Sequence, residues 1–139
     1  MIEILGSIQL LSTFLMAFIV MMTQWVIYPQ FGNVGILELA DVAKFHQRRI
    51  SYIVMPIMGL EVGSLISLSF YNMFSPVSLF LAALLLFVVW VITFLKLVPI
   101  HLELAKGRSQ KRVPALLRWN AIRLACWTLK LVVLIGGLQ

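Results

Sequence analysis

The segment Val77–Ile100 reads VSLFLAALLLFVVWVITFLKLVPI and contains one charged residue, Lys96. At about 1.5 Å per residue, a helix of this length crosses the hydrocarbon core of a bilayer, which is about 30 Å thick. A helix is expected because lipid cannot satisfy the backbone groups of an exposed strand edge. The segment therefore predicts a transmembrane helix.

Three further apolar runs of about 20 residues have the length of a membrane span. They are Ile8–Tyr28, Ile50–Tyr71 and Leu116–Ile135. The first run follows Glu3 rather than basic residues and is longer than the apolar part of a signal peptide, so we interpret it as an uncleaved span. We predict an all-α membrane protein, with a single domain of four transmembrane helices over residues 1–139.

The composition also indicates that lipid covers much of the surface. Of the 139 residues, 62% are hydrophobic and 12% are charged, whereas about 25% of the residues of a soluble domain are charged. The single cysteine, Cys126, excludes an intramolecular disulfide and a cysteine-based metal motif. The lipid bilayer is therefore the expected partner of most of the surface.

Basic residues in the connections predict the orientation of the chain. Connection 72–76 and the two termini contain no Lys or Arg. By the positive-inside rule, the two basic connections are cytoplasmic and both termini lie outside, in a bacterial inner membrane. This arrangement explains the net charge of +6 without a nucleic-acid partner. The residues concerned are Lys44, Arg48, Arg49, Lys106, Arg108, Lys111 and Arg112.

The connections carry local structure of their own. Apolar residues at helical spacing in Val34–Ser51 predict either an interfacial helix or an extension of span two beyond the membrane. A turn is expected at Gly107, and Pro114 suits the first turn of span four. Aromatic residues expected at the cytoplasmic interface are Trp25, Tyr28, Tyr52 and Trp119.

A charge in the hydrocarbon core costs at least about 2.5 kcal/mol. The candidates for such buried charges in the predicted spans are Glu61, Lys96, Arg123 and Lys130. An ion pair between Glu61 and Arg123 is the simplest way to bury both, and the pair is either structural or functional. Lys96 lies near the end of span three, where its flexible side chain can reach the interface. Lys130 either reaches the outer surface in the same way or joins an interior site.

Span four also carries a polar stripe. Asn120, Arg123, Trp127 and Lys130 follow the spacing i, i+3, i+7 and i+10, which places them on one helix face. This pattern predicts a polar site inside the bundle.

Span two contains small residues at the spacing i, i+4 and i+8, namely Gly59, Gly63 and Ser67. Such a face lets two helices approach closely. It lies nearly opposite Glu61, since two residues along a helix are rotated by about 200°. The stripe predicts either a homodimer through span two or close packing within one bundle.

Short motifs lie near the cytoplasmic ends of the spans: Tyr28-Pro29, His46-Gln47-Arg48-Arg49, Pro56, Val98-Pro99-Ile100-His101 and Arg118-Trp119-Asn120-x-x-Arg123. With four spans and a short basic loop, they resemble the four-helix membrane proteins grouped with the anthrone oxygenases. The resemblance implies a cofactor-free oxygenase of polyketide anthrones or a relative without assigned activity.

We therefore predict an oxygenase-like enzyme that acts on a hydrophobic aromatic or quinone-like molecule at a polar intramembrane site. Arg123 and Asn120 would hold a phenolate or carbonyl oxygen of the substrate. The two histidines would move protons, because imidazole titrates near neutrality. The predicted catalytic residues are His46, His101, Glu61 and Arg123, and the predicted substrate-binding residues are Tyr28, Trp90, Asn120 and Trp127.

Neither a metal nor a cofactor is predicted, but His46 and His101 leave haem as an alternative. A weaker resemblance to the four-helix protoporphyrinogen oxidases also implies a bound haem. That family carries a histidine in its first helix, and the first span here has none.

Two further alternatives stay open. Glu61 is the type of residue that couples transport to protons in small four-helix exporters, which suggests a transporter or ligand-binding protein. The small soluble surface is also compatible with an assembly subunit of a larger complex.

Overall fold

The structure is a computed structural model that describes residues 1–107 and 110–138. Within these ranges, four helices are long and apolar enough to span a membrane, which confirms the predicted all-α four-helix bundle. They are α1 (Ile2–Phe31), α2 (Ile36–Leu68), α3 (Pro76–Ala105) and α4 (Gln110–Gly136). Apart from the last residues of Ile50–Tyr71, the predicted spans lie inside these helices.

Helix α2 settles the two alternatives for the first connection. It runs without a break from Ile36 to Leu68, so span two is extended and no separate interfacial helix forms there. Its 33 residues correspond to a length of about 50 Å, which exceeds the hydrocarbon core of about 30 Å. The first turns of α2 therefore reach beyond the span.

Helices α1 and α3 each contain one π turn, at Thr23–Ile27 and at Thr93–Leu97. In each case a proline stands two residues after the turn, at Pro29 and Pro99. Proline has no N–H and cannot continue the regular bonding pattern of an α-helix. The wider turn therefore lies where each proline interrupts that pattern, next to the residues that later form the candidate site.

The four helices pack in a closed order. Helix α1 contacts α2 and α4, α4 also contacts α3, and the last turns of α3 contact α2. We call the end of the bundle with Gly32–Gly35 and Gly107 the basic end. The opposite end, with both termini and residues 69–75, is the terminal end.

Each end is tied by hydrogen bonds between connections. At the terminal end, Ser75 caps α3 by accepting a bond from the Ser78 N–H (3.2 Å), and its own N–H donates to the Gly137 carbonyl (2.8 Å). At the basic end, the Gln110 side chain donates to the Val34 carbonyl (2.7 Å). Gly107 has a φ of +71°, as expected for a turn, and Pro114 lies in the first turn of α4. Arg108 of the basic loop lies outside the described residues.

Candidate functional site

The polar stripe of α4 faces the interior of the bundle, as its spacing predicted. Arg123 is 7% exposed, and the other three residues are fully buried. They are surrounded by side chains of α1 and α2, so every polar atom on the stripe must find a partner inside the protein. The stripe comprises Asn120, Arg123, Trp127 and Lys130.

Glu61 forms an ion pair with Lys130. The Lys130 Nζ lies 2.7 Å from the Glu61 Oε1, and both side chains are completely buried. The sequence-based pairing of Glu61 with Arg123 is therefore wrong. The alternative in which Lys130 reaches the outer surface is wrong too. Arg123 and Lys130 lie on the same face of α4, and Lys130, which is farther from the basic end, reaches the carboxylate.

Two further donors complete the surroundings of the Glu61 carboxylate. The Thr13 hydroxyl donates to Oε1 (2.9 Å) and accepts a bond from Lys130 (2.9 Å). The Trp127 indole N–H donates to both carboxylate oxygens (3.1 and 3.2 Å). Each charge in this group has an opposite charge and a neutral hydrogen-bond partner. We call the four residues Thr13, Glu61, Trp127 and Lys130 the central cluster.

Sequence reasoning missed the contribution of α1 to this cluster. Gln9 and Thr13 are both fully buried, and the Gln9 amide oxygen accepts a bond from the Ser64 hydroxyl (2.6 Å). The signal was present in the sequence, because two polar residues four positions apart in an apolar run share one helix face.

A second cluster lies at the basic end and contains Tyr28, His46 and His101. The Tyr28 hydroxyl is 2.9 Å from the His101 Nε2, and Tyr28 is 3% exposed. The ring centroids of His46 and His101 are 6.1 Å apart. The π turns of α1 and α3 precede Tyr28 and His101, and these two predicted site residues meet although 72 residues separate them.

Arg123 lies between the two clusters, because it contacts Trp127 of the central cluster and lines a cavity together with Tyr28 and His101 of the basic-end cluster. Its Nη1 donates to the Asn120 Oδ1 at 3.4 Å, and its guanidinium carbon lies 5.0 Å from the Trp127 ring centroid. Asn120 is held in place by bonds from its Nδ2 to the Gln24 Oε1 (2.9 Å) and the Val20 carbonyl (3.2 Å). The Nε of Arg123 is buried and has no hydrogen-bond partner among residues 1–107 and 110–138. The guanidinium therefore keeps bonding capacity that the protein does not use.

A cavity of about 200 Å³ opens beside Arg123. Four of the predicted site residues, Tyr28, His101, Asn120 and Arg123, line it, while most of the other lining side chains are apolar. An engineered apolar cavity of about 150 Å³ binds benzene, so this cavity has room for one substituted ring. The remaining lining includes Val20, Thr23, Ile50, Ser51, Val54, Met55, Met58, Phe94 and Leu97.

The cavity opens towards the side of the bundle. At its rim stand exposed residues of two helices: Ser51 and Met55 belong to α2, and Phe94 belongs to α3. This opening lies on the apolar surface that lipid would cover, so a hydrophobic molecule can reach the cavity from the side.

The structure does not bring all eight predicted site residues together. Glu61 and Trp127 lie in the central cluster, while His46 packs near the basic-end cavity without lining it. Trp90 packs against Phe94, with ring centroids 5.6 Å apart, and its indole N–H has no hydrogen-bond partner.

One expectation about the interface changes, and one is confirmed. Tyr28 is a buried site residue and not an interfacial anchor, whereas Trp25 and Tyr52 are 73% and 69% exposed. The Lys96 ammonium lies 5.3 Å from the ring centroid of Trp119. Lys96 is thus exposed near the basic end, as a flexible side chain at a span end should be.

The basic-end histidines do not fit a haem. The Nε2 of His101 is bonded to the Tyr28 hydroxyl, and the rings of Tyr28 and Phe31 pack edge-on against His46. A porphyrin between the two imidazoles would have to displace these contacts. Across residues 1–107 and 110–138, no group of three or more His, Cys, Asp or Glu residues is arranged to hold a metal ion.

The small-residue face of α2 points away from the bundle. A Cβ added at Gly59 or Gly63 would meet no heavy atom within 4 Å. Packing of these two glycines within the bundle, one of the two alternatives, is therefore wrong.

No protein-family model, curated protein or solved structure matches this chain. The resemblance to the anthrone oxygenase group rests on short motifs and stays a prediction. The function has to be inferred from the geometry of the two clusters and the cavity.

Proposed function

We propose that this chain is an integral membrane protein that takes a hydrophobic aromatic or quinone-like molecule from the lipid and acts on it as an oxygenase-like enzyme. The observation that supports this most is the cavity at the basic end. It is apolar over most of its wall, opens between α2 and α3, and contains Arg123, Asn120 and His101 at one end. Ligand pockets commonly combine apolar walls with a few convergent polar groups.

The polar end of the cavity suits an oxygen atom of the substrate. Arg123 can donate hydrogen bonds to a carbonyl or phenolate oxygen, and such bonds are strong where water is excluded. Both N–H groups of the Asn120 amide already donate to Val20 and Gln24, so Asn120 contributes by accepting a bond from Arg123 and holding it in place. Asn120 is already oriented by Gln24 and Val20, so its position does not depend on the ligand.

His101 is the candidate for proton transfer. When the proton of its neutral ring is on Nε2, that nitrogen donates to the Tyr28 oxygen and leaves Nδ1 as an acceptor. Nδ1 is buried without a hydrogen-bond partner. It can therefore take a proton from a bound molecule, while Tyr28 holds the ring in place.

An anthrone has three fused rings, so part of its ring system would extend from the cavity through the opening towards the lipid. For an anthrone, the balanced reaction converts the ring methylene into a carbonyl. One oxygen atom of dioxygen becomes the carbonyl oxygen. The other leaves as water with the two methylene hydrogens. The residues of the chain would remove the proton and stabilise the resulting oxyanion, and dioxygen would be the oxidant.

The orientation is part of the same proposal. The basic end would face the cytoplasm of a bacterial inner membrane, because the connections there carry Lys44, Lys106, Lys111 and Arg112. The cavity would then lie in the cytoplasmic half of the bilayer.

Oxygen uptake by proteoliposomes supplied with anthrone tests this proposal. We expect anthrone-dependent uptake that is lost in Arg123→Ala and reduced at least tenfold in His101→Phe, since removal of a general base commonly costs about 10²–10⁴ in rate. Tyr52→Phe is the control that should keep full uptake, because Tyr52 is exposed near the same end. Uptake equal to that of empty liposomes, or full activity of Arg123→Ala, would contradict the proposal.

The central cluster does not favour the transporter alternative. Glu61 is fully buried and accepts bonds from Thr13, Trp127 and Lys130. A carboxylate that couples transport must be reached by water, whereas Glu61 is enclosed in the protein and its oxygens are bonded to these three residues.

A further inference from the structure

Arg123 carries a buried positive charge that no acidic residue of the described chain compensates. The guanidinium is always protonated in proteins. The nearest buried carboxylate, Glu61, is paired with Lys130, and Glu103 is paired with Arg112 near the surface of the basic end. Within residues 1–107 and 110–138, Arg123 forms no salt bridge.

The groups that do contact Arg123 are neutral. They are the amide oxygen of Asn120 at 3.4 Å, which is a long hydrogen bond, and the indole ring of Trp127. A cation–π contact and one weak bond leave the guanidinium, which has five N–H donors, far from satisfied. Because Arg123 is only 7% exposed and borders the cavity, its unused donors and its charge are directed at whatever occupies that space.

We infer that the occupant of the basic-end cavity is a hydrophobic organic anion, a phenolate or carboxylate whose oxygen pairs with Arg123. The inference rests on the proposed binding site and narrows its ligand class. A neutral quinone would leave the charge uncompensated in a low-dielectric site. An oxyanion compensates it. A carboxylate can accept two parallel N–H bonds from the guanidinium, and the single oxygen of a phenolate can accept two converging ones.

The dimensions of the cavity limit the body of the anion. About 200 Å³ accommodates one substituted ring or a folded segment of alkyl chain. Any longer apolar part must leave through the opening between Met55 and Phe94 and lie among lipid tails. The expected ligand is therefore amphipathic, with its charged end inside and its tail towards the lipid.

Binding of matched probes to the protein in nanodiscs of zwitterionic lipid tests the inference. The first probe is a long-chain nitrophenol, studied above its own pKa so that it is an anion, and the second is its neutral methyl ether. A long-chain carboxylate is the third. Isothermal titration calorimetry, with empty nanodiscs as the blank, reports binding of all three probes. The two nitrophenyl probes should also quench the fluorescence of Trp127, which contacts Arg123.

We expect the nitrophenolate to bind at least about tenfold more tightly than its ether, the factor that one charge-assisted hydrogen bond supplies. Arg123→Gln should abolish this preference, and Arg123→Lys should retain part of it. Arg118→Gln is the control, because it removes the same charge from an exposed position on α4. If Arg123→Gln does not fold, the comparison of nitrophenolate and ether on the unmodified protein still shows whether the site prefers the anion.

The outcomes separate the inference from the proposed function. Equal binding of phenolate and ether, or an equal loss of preference in Arg118→Gln, would overturn the inference but leave an aromatic site in place. Binding of none of the three probes would overturn both. A different outcome is that the long-chain carboxylate binds more tightly than both aromatic probes and that this preference is lost in Arg123→Gln. That result would support an anionic ligand at Arg123 and contradict the proposal of an aromatic substrate.

Discussion

Glu61 and Lys130 show why a buried pair is hard to assign from sequence. The depth of each residue along its span predicted that Glu61 lies close to Arg123. However, Arg123 and Lys130, the two buried cations of α4, are seven residues apart on one face, which is about 10 Å along the helix. The crossing of α2 and α4 decides which of them meets the carboxylate, and no local pattern records that crossing. The residues facing inward were predictable, whereas their partners were not.

The central cluster should behave as a structural unit. We expect Glu61→Gln and Lys130→Met each to lower the free energy of unfolding by about 3–5 kcal/mol, because each leaves one buried charge without its partner. The double variant should lose less than the sum of the two. Unfolding in mixed micelles measures these changes, with Lys96→Met as an exposed control. Single variants as stable as the control would show that the pair contributes nothing.

The π turns of α1 and α3 are the elements that position the basic-end cluster. Both follow from a proline in a long helix, and Thr23 and Thr93 stand at the same distance before Pro29 and Pro99. Sequence reasoning gave the helices and the prolines but not the wider turn, since a proline can also kink a helix or end it. The meeting of Tyr28 with His101 was therefore not predictable from spacing.

The tie between α3 and α4 at the terminal end depends on a glycine. A Cβ at Gly137 would collide with the side chain of Ser78, whereas a Cβ at Gly136 would meet nothing within 4 Å. We expect Gly137→Ala to destabilise the fold by about 1–3 kcal/mol, as overpacking does. Gly136→Ala should leave the thermal midpoint in detergent unchanged or slightly raised. Equal midpoints for the two variants would contradict this contact.

The fold of the whole molecule was predictable because lipid restricts the choices so strongly. Once Val77–Ile100 and the other runs are long and apolar, helices are the structure that satisfies their backbone. Periodicity also assigned the inward face of α4 through Asn120 and Trp127. The cavity was not predictable, because it depends on how α2 and α3 diverge around side chains that no sequence pattern links.

The outward glycine face of α2 predicts how the molecule associates. We expect the chain to form a homodimer in which Gly59, Gly63 and Ser67 allow two copies of α2 to approach closely. Leucine at Gly59 and Gly63 should shift the oligomer to the monomer, as measured by single-molecule photobleaching in liposomes. Gly136→Leu is the control on another helix. A monomeric unmodified protein, or no shift in the double variant, would rule out this interface.

The basic-end cavity is tested most directly by photolabelling in the membrane. A lipid-soluble phenol that carries a photoreactive group is added to proteoliposomes and irradiated, and the labelled peptides are identified by mass spectrometry. We expect labels concentrated on Met55 and Met58 of α2 and on Phe94 of α3, reduced by an excess of the non-photoreactive phenol and by Arg123→Gln. Labels spread over lipid-facing residues such as Phe80 and Phe87, without competition by the free phenol, would contradict a binding site in this cavity.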